Sequence, residues 1–289
     1  MSNAKADSDA HLSPRGPSRK LMAVERHAQI LRALRVSGSI QVPTMAASLG
    51  VSEMTVRRDL VELEQESRLI RIHGGAVALN DPPPILMDND EPSFEARLAR
   101  QSAAKEAISA TAVELLAGCR TIALDVGTTS FFLAQRLTEL AHIKVFTNNL
   151  RIASLLCDTS VEVYLAGGRV RRDERAITGP SAVAQFEPLW FDASVIGVAG
   201  VTEDGFYDYA LEELDMKRVF LRRSGMKIVL CDATKFRRMS LVHIAPLAEA
   251  TMVITDAEPP AEIRAAFTRA NVELHIAGKP SWSKRADGG

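Results

Sequence analysis

The spacing of hydrophobic residues changes partway along the chain. From about Met22 to Leu79, apolar residues recur mostly every three or four positions, which predicts amphipathic helices. After Pro92, short β-rich runs alternate with helical stretches, which is typical of an α/β sheet. Between these parts lies NDPPPILMDNDEP, whose consecutive prolines exclude a helix interior and predict an extended linker. The pattern predicts a disordered tail (1–21), a small helical domain (22–79), a linker (80–92), an α/β domain (93–278) and a second disordered tail (279–289).

Three helices and a pair of strands are predicted within the small domain. The first helix ends near Gly38, and the second begins at Pro43 and ends at Gly50. Ser52 caps a third helix, SEMTVRRDLVELEQES, in which apolar residues recur at helical spacing and form an inward stripe. The alternating segment RLIRIHGGAV, which turns at Gly74, predicts two short strands or a wing.

The third helix carries outward polar and basic side chains. Two short helices joined through a glycine, with Arg57 and Arg58 facing out from the second, are typical of a helix-turn-helix whose last helix enters the major groove. Residues 19–79 hold nine basic and six acidic residues, a net charge of +3, while the whole chain is at −1. The pattern alone leaves a second interpretation open, in which a helical subdomain only packs on the larger part and exposes both arginines to solvent.

Seven strands are predicted in the larger domain, with helices between most of them. They lie near Thr121–Leu124, Lys144–Thr147, Glu162–Leu165, Ser194–Val198, Lys227–Leu230, Met252–Ile254 and Glu273–Ile276. This alternation predicts a right-handed, mostly parallel sheet. In such sheets a ligand lies outside the carboxyl ends of the strands, so the residues that follow the strands are the candidates for a binding site.

The segment LDVGTTSFFLAQRL runs from a strand end into a helical pattern and has the composition of a phosphate-binding turn. Its backbone N–H groups and the helix N-terminus would face an anion, and Gly127 permits a close approach of the backbone. Thr128 and Thr129 add hydroxyl donors. An ordinary capped turn between a strand and a helix is the alternative. The G-x-G-x-x-G fingerprint is absent, which argues against a nucleotide cofactor at this turn.

Polar residues also follow the neighbouring predicted strands. TNN places Asn148 after one strand, AGGRVRR places Gly168 after the next, and CDATK places Lys235 after a later strand. Each segment has a simpler interpretation as an Asx turn, a glycine turn or a solvated loop. Several such clusters near a phosphate-type turn favour a binding site. EELDMK spaces Glu213 and Lys217 one helical turn apart, and an exposed ion pair is favoured there over a pocket edge.

The bulk composition narrows the classes of protein to which this chain can belong. A hydrophobic fraction of 46% and a charged fraction of 25% are ordinary for a soluble globular protein. Nowhere do eighteen apolar residues run together, so no membrane span is expected. The three cysteines lie far apart in apolar segments, which favours reduced thiols in a cytoplasmic protein. The six histidines show no spacing typical of zinc, so neither a metal nor a cofactor is expected.

The segment from Arg26 to Val77 contains VSEMTVRRDL and RIHGGA. These two motifs resemble the recognition helix and the wing of the DeoR family of bacterial transcription regulators. The resemblance implies DNA contacts from these residues of the helix and the wing: Ser52, Thr55, Arg57, Arg58, Arg71 and His73. Packing of the turn is an alternative role for His73. The family usually has glycine where this chain has Ser67, which is expected to affect the end of the recognition helix and the angle of the wing.

The larger domain carries a second resemblance to the same family. Five of its segments are similar to the C-terminal sensor domain of the DeoR family: LDVGTTS, VFTNNLRIA, LAGGRVRRDERAITGPSA, EELDMKR and LCDATKF. That domain resembles the sugar-phosphate isomerase and CoA-transferase-like fold. Members of the family are generally thought to bind phosphorylated sugars or related metabolites. The resemblance implies an effector site made of Asp125, Gly127, Thr128 and Thr129 at the phosphate, Asn148 and Gly168 as pocket lining, and Lys235 at the sugar or its phosphate.

These resemblances predict a cytoplasmic repressor that leaves its double-stranded DNA operator when a phosphorylated sugar binds. A homodimer or homotetramer is expected, because paired recognition helices set the spacing of operator half-sites. The first alternative is an isomerase-like enzyme with Asp125, Asp232 or Glu212 as general base and Lys235 stabilising the enediolate. The second is a DNA-binding protein whose larger domain only oligomerises. The repressor is favoured because turnover of the metabolite would erase the signal, so no catalytic residue is assigned.

Overall fold

The computed structural model describes residues 22–66, 68–72, 74–78, 85–140 and 142–279. Contacts within the chain divide it into two compact units, residues 1–83 and residues 84–289. The first expected tail, and the second one except for Lys279, lie outside the described residues. None of the described helices is both long enough and apolar enough to cross a bilayer.

The first unit contains the three predicted helices and a small antiparallel sheet. Its elements are α1 (Ala23–Ser37), β1 (Ser39–Gln41), α2 (Val42–Leu49), α3 (Glu53–Gln65), β2 (Leu69–Ile72) and β3 (Gly75–Ala78). The strands lie in the order β1-β3-β2. The helices and the strand pair were predicted, whereas β1 is too short to produce a recognisable alternation and forms by pairing with β3.

A hydrophobic core and one buried ion pair join the helices of the first unit. The buried cluster includes Ile30 of α1, Leu49 of α2, Val56 and Leu63 of α3, and Leu69 of β2. Arg26 donates from Nε and Nη2 to the two carboxylate oxygens of Asp59 at 2.7 and 2.8 Å, and Asp59 is 1% exposed. This bidentate pair links α1 to α3, which carry the two residues.

The wing depends on a close approach of two strands. A Cβ atom on Gly75 would lie 2.0 Å from the carbonyl oxygen of Ile40, which is far inside van der Waals contact. Glycine is therefore required where β3 begins. β3 pairs with both β1 and β2.

The second unit is built on a seven-stranded parallel sheet. Its elements, in chain order, are β4 (Leu86–Met87), α4 (Phe94–Ala99), α5 (Ser102–Leu115), β5 (Thr121–Leu124), α6 (Thr128–Leu137), β6 (Lys144–Thr147), α7 (Leu150–Leu156), β7 (Glu162–Leu165), β8 (Arg169–Arg171), β9 (Ala176–Thr178), α8 (Pro180–Phe186), β10 (Phe191–Gly197), β11 (Gly200–Val201), β12 (Phe206–Asp208), α9 (Leu214–Arg222), β13 (Ser224–Leu230), β14 (Arg238–Met239), β15 (Val242–Ala245), β16 (Met252–Thr255), α10 (Ala261–Arg269) and β17 (Glu273–Ile276). The main sheet has the order β17-β16-β13-β10-β5-β6-β7, and every neighbouring pair is parallel. All seven predicted strands are confirmed.

Both faces of this sheet are buried beneath helices, which is typical of parallel sheets. Ile122 and Leu124 of β5 belong to one core cluster with residues of α5 and α6, while Ala123 belongs to the other cluster with residues of α9 and α10. This alternation follows from the period of two in a strand. The carboxyl ends of β13, β10, β5, β6 and β7 therefore lie in that order along one edge.

Part of the expected linker belongs to the second unit. The strand β4 pairs with β14, and the amide of Asp88 donates to the carbonyl oxygen of Met239 at 2.8 Å. Residues 85–92 are thus held to the second unit, although their composition predicted a free linker. Two strands of two residues each produce no local pattern, because they exist only through pairing across about 150 positions of the chain.

Candidate DNA-binding surface and effector site

The helix α3 presents the expected DNA-contacting residues on its outward face. Arg57 and Arg58 are exposed, and Arg57 Nη2 forms an ion pair with Glu53 Oε2 at 2.9 Å. Ser52 caps the helix, since its Oγ accepts the backbone N–H of Thr55 at 3.2 Å. The hydroxyls of Ser52 and Thr55 also lie 2.9 Å apart, so both contribute to the cap itself.

The wing residues have different surroundings. The Nε of Arg71, in β2, donates to Glu64 Oε2 at 2.7 Å, and its backbone N–H donates to Glu64 Oε1. These bonds tie β2 to the end of α3 and leave the Arg71 side chain 42% exposed. His73 and Ser67 lie outside the described residues. The assignment of DNA contacts to these residues stays a prediction.

The β5–α6 turn has the backbone geometry that an anion site requires. Gly127 has a φ of +116° and precedes the first residue of α6, a conformation that residues with a side chain rarely adopt. The N-cap residue of α6 is Gly127 itself, which has no side chain to cap the helix. The first amides of a helix have no partner within the helix, so they are oriented for an acceptor placed above the turn. Thr128 is 6% exposed and Thr129 is half-buried at this end of α6.

Asp125, at the end of β5, forms a buried ion pair with Lys217 of α9. The Lys217 ammonium contacts Asp125 Oδ2, lies 2.8 Å from Asp208 Oδ2 and donates to the carbonyl oxygen of Gly197 at 3.0 Å. Asp125 is 0% exposed and Lys217 is 1% exposed. The other carboxylate oxygen, Asp125 Oδ1, is buried and has no hydrogen-bond partner among the residues that the structure describes.

The interpretation of Glu213 and Lys217 as an exposed ion pair was wrong. Glu213 is 3% exposed, and Lys217 contacts aspartates from other elements. Of this segment, Glu212 and Asp215 remain exposed. Spacing along a helix indicates which residues share a face but not whether that face is buried, and here the face of α9 with Lys217 packs toward the sheet.

The burial of these charges changes their pKa values. Burial raises the pKa of Asp125, and the neighbouring Lys217 only partly offsets this effect. Burial alone would lower the pKa of Lys217, but the carboxylates of Asp125, Asp208 and Glu213 outweigh it and raise that pKa above its ordinary value. Burial and the nearby Asp208 raise the pKa of Glu213 to about 8, against the opposing effects of Lys217 and Arg171. Lys217 is therefore charged at neutral pH, and its ammonium interacts with several acidic side chains at once.

Asn148 and Gly168 meet at the hairpin of β8 and β9. Asn148 Nδ2 donates to the carbonyl oxygen of Ile177 at 3.2 Å, while its Oδ1 is buried without a partner among the described residues. A Cβ atom on Gly168 would lie 2.9 Å from the carbonyl oxygen of Thr178 and 3.0 Å from a side-chain carbon of Ile177. Packing is therefore a sufficient reason for this glycine, and its role in a pocket stays a prediction.

Lys235 lies farther along the same edge of the sheet. It ends the turn Ala233–Lys235, which Asp232 caps by accepting the N–H of Thr234 at 3.0 Å. β10 lies between β5 and β13, the strand before this turn, and the described residues show no hydrogen bond or ion pair between Lys235 and Asp125. Burial lowers the pKa of Lys235, and no hydrogen bond or ion pair of its ammonium is found within the described ranges.

A further ion-pair network was missed in the sequence. Arg171 of β8 contacts Glu91 and donates from Nη1 to Glu213 Oε1 at 2.7 Å. Arg97 of α4 contacts Glu174 and lies 3.3 Å from Glu91 Oε1. The network joins residues 85–92 to the charges around Lys217. Its members are up to about 120 positions apart, so local sequence patterns contain no signal for it.

Comparison with known proteins agrees with both units. The chain matches the family model of the DeoR C terminal sensor domain over residues 100–257 and that of the DeoR-like helix-turn-helix domain over residues 26–81. An N-terminal helix-turn-helix joined to a C-terminal α/β sensor unit defines a DNA-binding transcriptional regulator. The chain belongs to the DeoR family. The predicted fold class and the predicted class of function are confirmed.

Relatives match over nearly their whole length. The HTH-type transcriptional regulator GlpR of Haloferax volcanii is 31% identical over 255 residues, which cover 88% of this chain and 98% of that protein. The glycerol-3-phosphate regulon repressor of Escherichia coli (strain K12) is 27% identical over 258 residues, which cover 87% of this chain and 98% of the repressor.

Among solved structures, a D-ribose-5-phosphate isomerase in complex with phospho-erythronic acid aligns with 46% of this chain and 52% of its own. The sequence identity is 17% and the TM-score is 0.35. At this level the alignment carries no conclusion about activity.

Proposed function

We propose that this DeoR family member represses an operon for carbohydrate metabolism and leaves its operator when a phosphorylated sugar binds the second unit. The observation that carries the proposal is the β5–α6 turn, where helix amides without a side-chain cap lie next to the buried Asp125. A relative from Escherichia coli named as the glycerol-3-phosphate regulon repressor supports the class of effector.

The chemistry of the turn suits the two halves of such a ligand. The amides at the start of α6 and the hydroxyls of Thr128 and Thr129 are donors for phosphate oxygens. The unpartnered Asp125 Oδ1 is an acceptor for a sugar hydroxyl. We assign Lys235, Asn148 and Gly168 to the rim of the same site, and we assign no metal or cofactor.

Operator release requires a path from this site to the first unit. The covalent path leaves the second unit through residues 85–92, which Glu91 joins to Arg171. Arg171 in turn contacts Glu213, which lies in the same buried group of titratable residues as Lys217. We infer that a ligand at Asp125 changes the balance of these charges and loosens the contact of Glu91, so that effector binding and DNA binding are coupled.

We propose a binding role without turnover for the second unit. Asp125, a general-base candidate, is paired with the ammonium of Lys217, and Asp232 is used to cap its own turn. A sensor also needs to retain its ligand while the first unit responds. The protein is expected in the cytoplasm, as a homodimer or homotetramer on double-stranded DNA.

The test of effector sensing uses the full chain and an operator selected from random duplex DNA. Fluorescence anisotropy measures operator release by glycerol 3-phosphate and by hexose monophosphates, each compared with its unphosphorylated form. Thr128→Val removes one hydroxyl donor and is expected to raise the phosphate concentration needed for release by about tenfold. Thr138→Val, at the other end of α6, is the matched control and is expected to change nothing. Release by no phosphate, or equal release by the unphosphorylated sugars, would contradict the proposal.

The test of DNA contact is Arg57→Ala. We expect about tenfold weaker operator binding, because a guanidinium contact to a base edge or phosphate is lost, with unchanged effector binding. Catalysis is tested by following the same sugar phosphates by NMR. Turnover of even a few per second, which is the range of slow ordinary enzymes, would favour the isomerase instead.

A further inference from the structure

Met54 is an apolar side chain in an unexpected place. It lies in the first turn of α3 and is 72% exposed, whereas Val56, Leu60 and Leu63 of the same helix are buried in the core of the first unit. Exposure at this level gives Met54 no part in the stability of the fold. Met54 also lies on the helix that a helix-turn-helix presents to DNA, so its candidate partners include the bases.

The neighbours of Met54 indicate what that partner is. Arg57 and Arg58, three and four positions later on the helix, share its face and are exposed. Arg57 is held in position by its ion pair with Glu53. An apolar side chain with a guanidinium group on two neighbouring residues is complementary to a surface that has anionic groups at its edges and an apolar group at its centre.

The major groove of DNA has this character. Phosphates line its two sides, and the C5-methyl group of thymine is the apolar group that base pairs present on its floor. In a helix-turn-helix, residues in the first turn of the recognition helix face the base edges. The methionine side chain is unbranched and flexible, so it can adapt to a methyl group without a fixed geometry.

We infer that Met54 recognises a thymine methyl group in each operator half-site, while the arginines beside it bind phosphates or guanine. The inference concerns the DNA sequence that the protein prefers, and it requires only the DNA-binding function of the family. It assigns one A·T base pair per half-site to the position that faces the first turn of α3.

The experiment replaces each thymine of the selected operator, one at a time, by deoxyuridine, which lacks only the methyl group. For the unaltered protein, one replacement per half-site is expected to weaken binding about fourfold, as loss of one buried methyl group predicts. Met54→Ala should bind the thymine operator more weakly and should show no further loss at that position. The disappearance of the methyl effect in the variant identifies Met54 as its partner.

Two controls separate the outcomes. Met87→Ala removes an exposed methionine from the second unit, where Met87 is 60% exposed, and is expected to leave every deoxyuridine effect unchanged. Thermal unfolding of Met54→Ala should match that of the unaltered protein, since the residue is exposed. Equal methyl effects in the unaltered protein and in Met54→Ala at every position would overturn the inference, as would selected operators without thymine at that place. No effector is used, so the result does not depend on the proposed sugar phosphate.

Discussion

Replacing Lys217 by methionine isolates the charge that holds the second unit's acids together. The two side chains are of similar length, so packing changes little, but Asp125 and Asp208 lose the ammonium between them. Asp125 is 0% exposed, so solvent screens its charge poorly. Removing one partner of a buried ion pair costs about 3–5 kcal/mol, because the remaining charge is left without a counter-charge. We expect the free energy of unfolding of the second unit to fall by this amount at neutral pH.

The measurement is denaturant unfolding followed by circular dichroism, with Arg222→Met as the matched control on the same helix. Arg222 lies 3.1 Å from Glu187, and both side chains are exposed at 54% and 38%. Exposed pairs contribute about 0–1 kcal/mol, so this control should unfold almost as the original protein does. In the double variant Lys217→Met with Asp125→Asn, part of the lost stability should return because the isolated carboxylate is gone.

The pH dependence provides a second check on the same reasoning. Lowering the pH protonates the carboxylates around position 217, so the difference between Lys217→Met and the original protein should shrink as the pH falls. A loss no larger than that of Arg222→Met at neutral pH, or a loss independent of pH, would refute the role assigned to the Lys217 charge.

Three further predictions concern other positions. The pKa of Glu213 is raised to about 8, so its contribution to the stability of the folded state is fully present below its ordinary pKa and is lost as the pH rises through 8. Glu213→Gln should flatten that decline in unfolding measured between pH 5 and 9, and an unchanged pH dependence would contradict the assignment. Glu91→Gln, which weakens the contact with Arg171, should lower operator affinity without effector and reduce the response to a sugar phosphate in anisotropy; an unchanged response would exclude this path. Gly75→Ala should abolish operator binding, since its Cβ would lie 2.0 Å from a backbone oxygen. Gly74→Ala places a Cβ with no atom within 4 Å, so it should cost only about 1 kcal/mol of backbone strain. If the two variants had equal effects on operator binding and on thermal unfolding, the wing geometry would be contradicted.

Local rules were sufficient for most of the fold. The N-cap at Ser52, the helix stop at Gly50 and the period of three to four residues predicted α2 and α3, because these signals act within one or two helical turns. The strands of the parallel sheet were predicted in the same way, since each is a short run of β-rich residues with helices between most of them. The strands β1, β4, β8, β9, β11, β12, β14 and β15 were not predicted, because they lie outside the main sheet and most have only two or three residues.

The residues of the candidate site were likewise predicted only in part from the sequence. The composition of the β5–α6 turn identified Asp125, Gly127 and Thr128 as candidates, and the positive φ of Gly127 agrees with that interpretation. The spacing of Glu213 and Lys217 gave the wrong environment, because periodicity does not indicate which face of a helix is covered. The DNA contacts and the effector contacts themselves stay predictions until they are measured.

By itself, the sequence determined most of the helices, the seven strands of the main sheet, the division into two parts and the family to which the chain belongs. These properties depend on residues close together in the chain, where propensity, capping and hydrophobic period act. The tertiary structure alone decided that Lys217 meets Asp125 from 92 positions away and that Arg171 joins Glu91 to Glu213. Buried charged residues form ion pairs when distant elements pack together, and local sequence patterns do not predict which elements will pack.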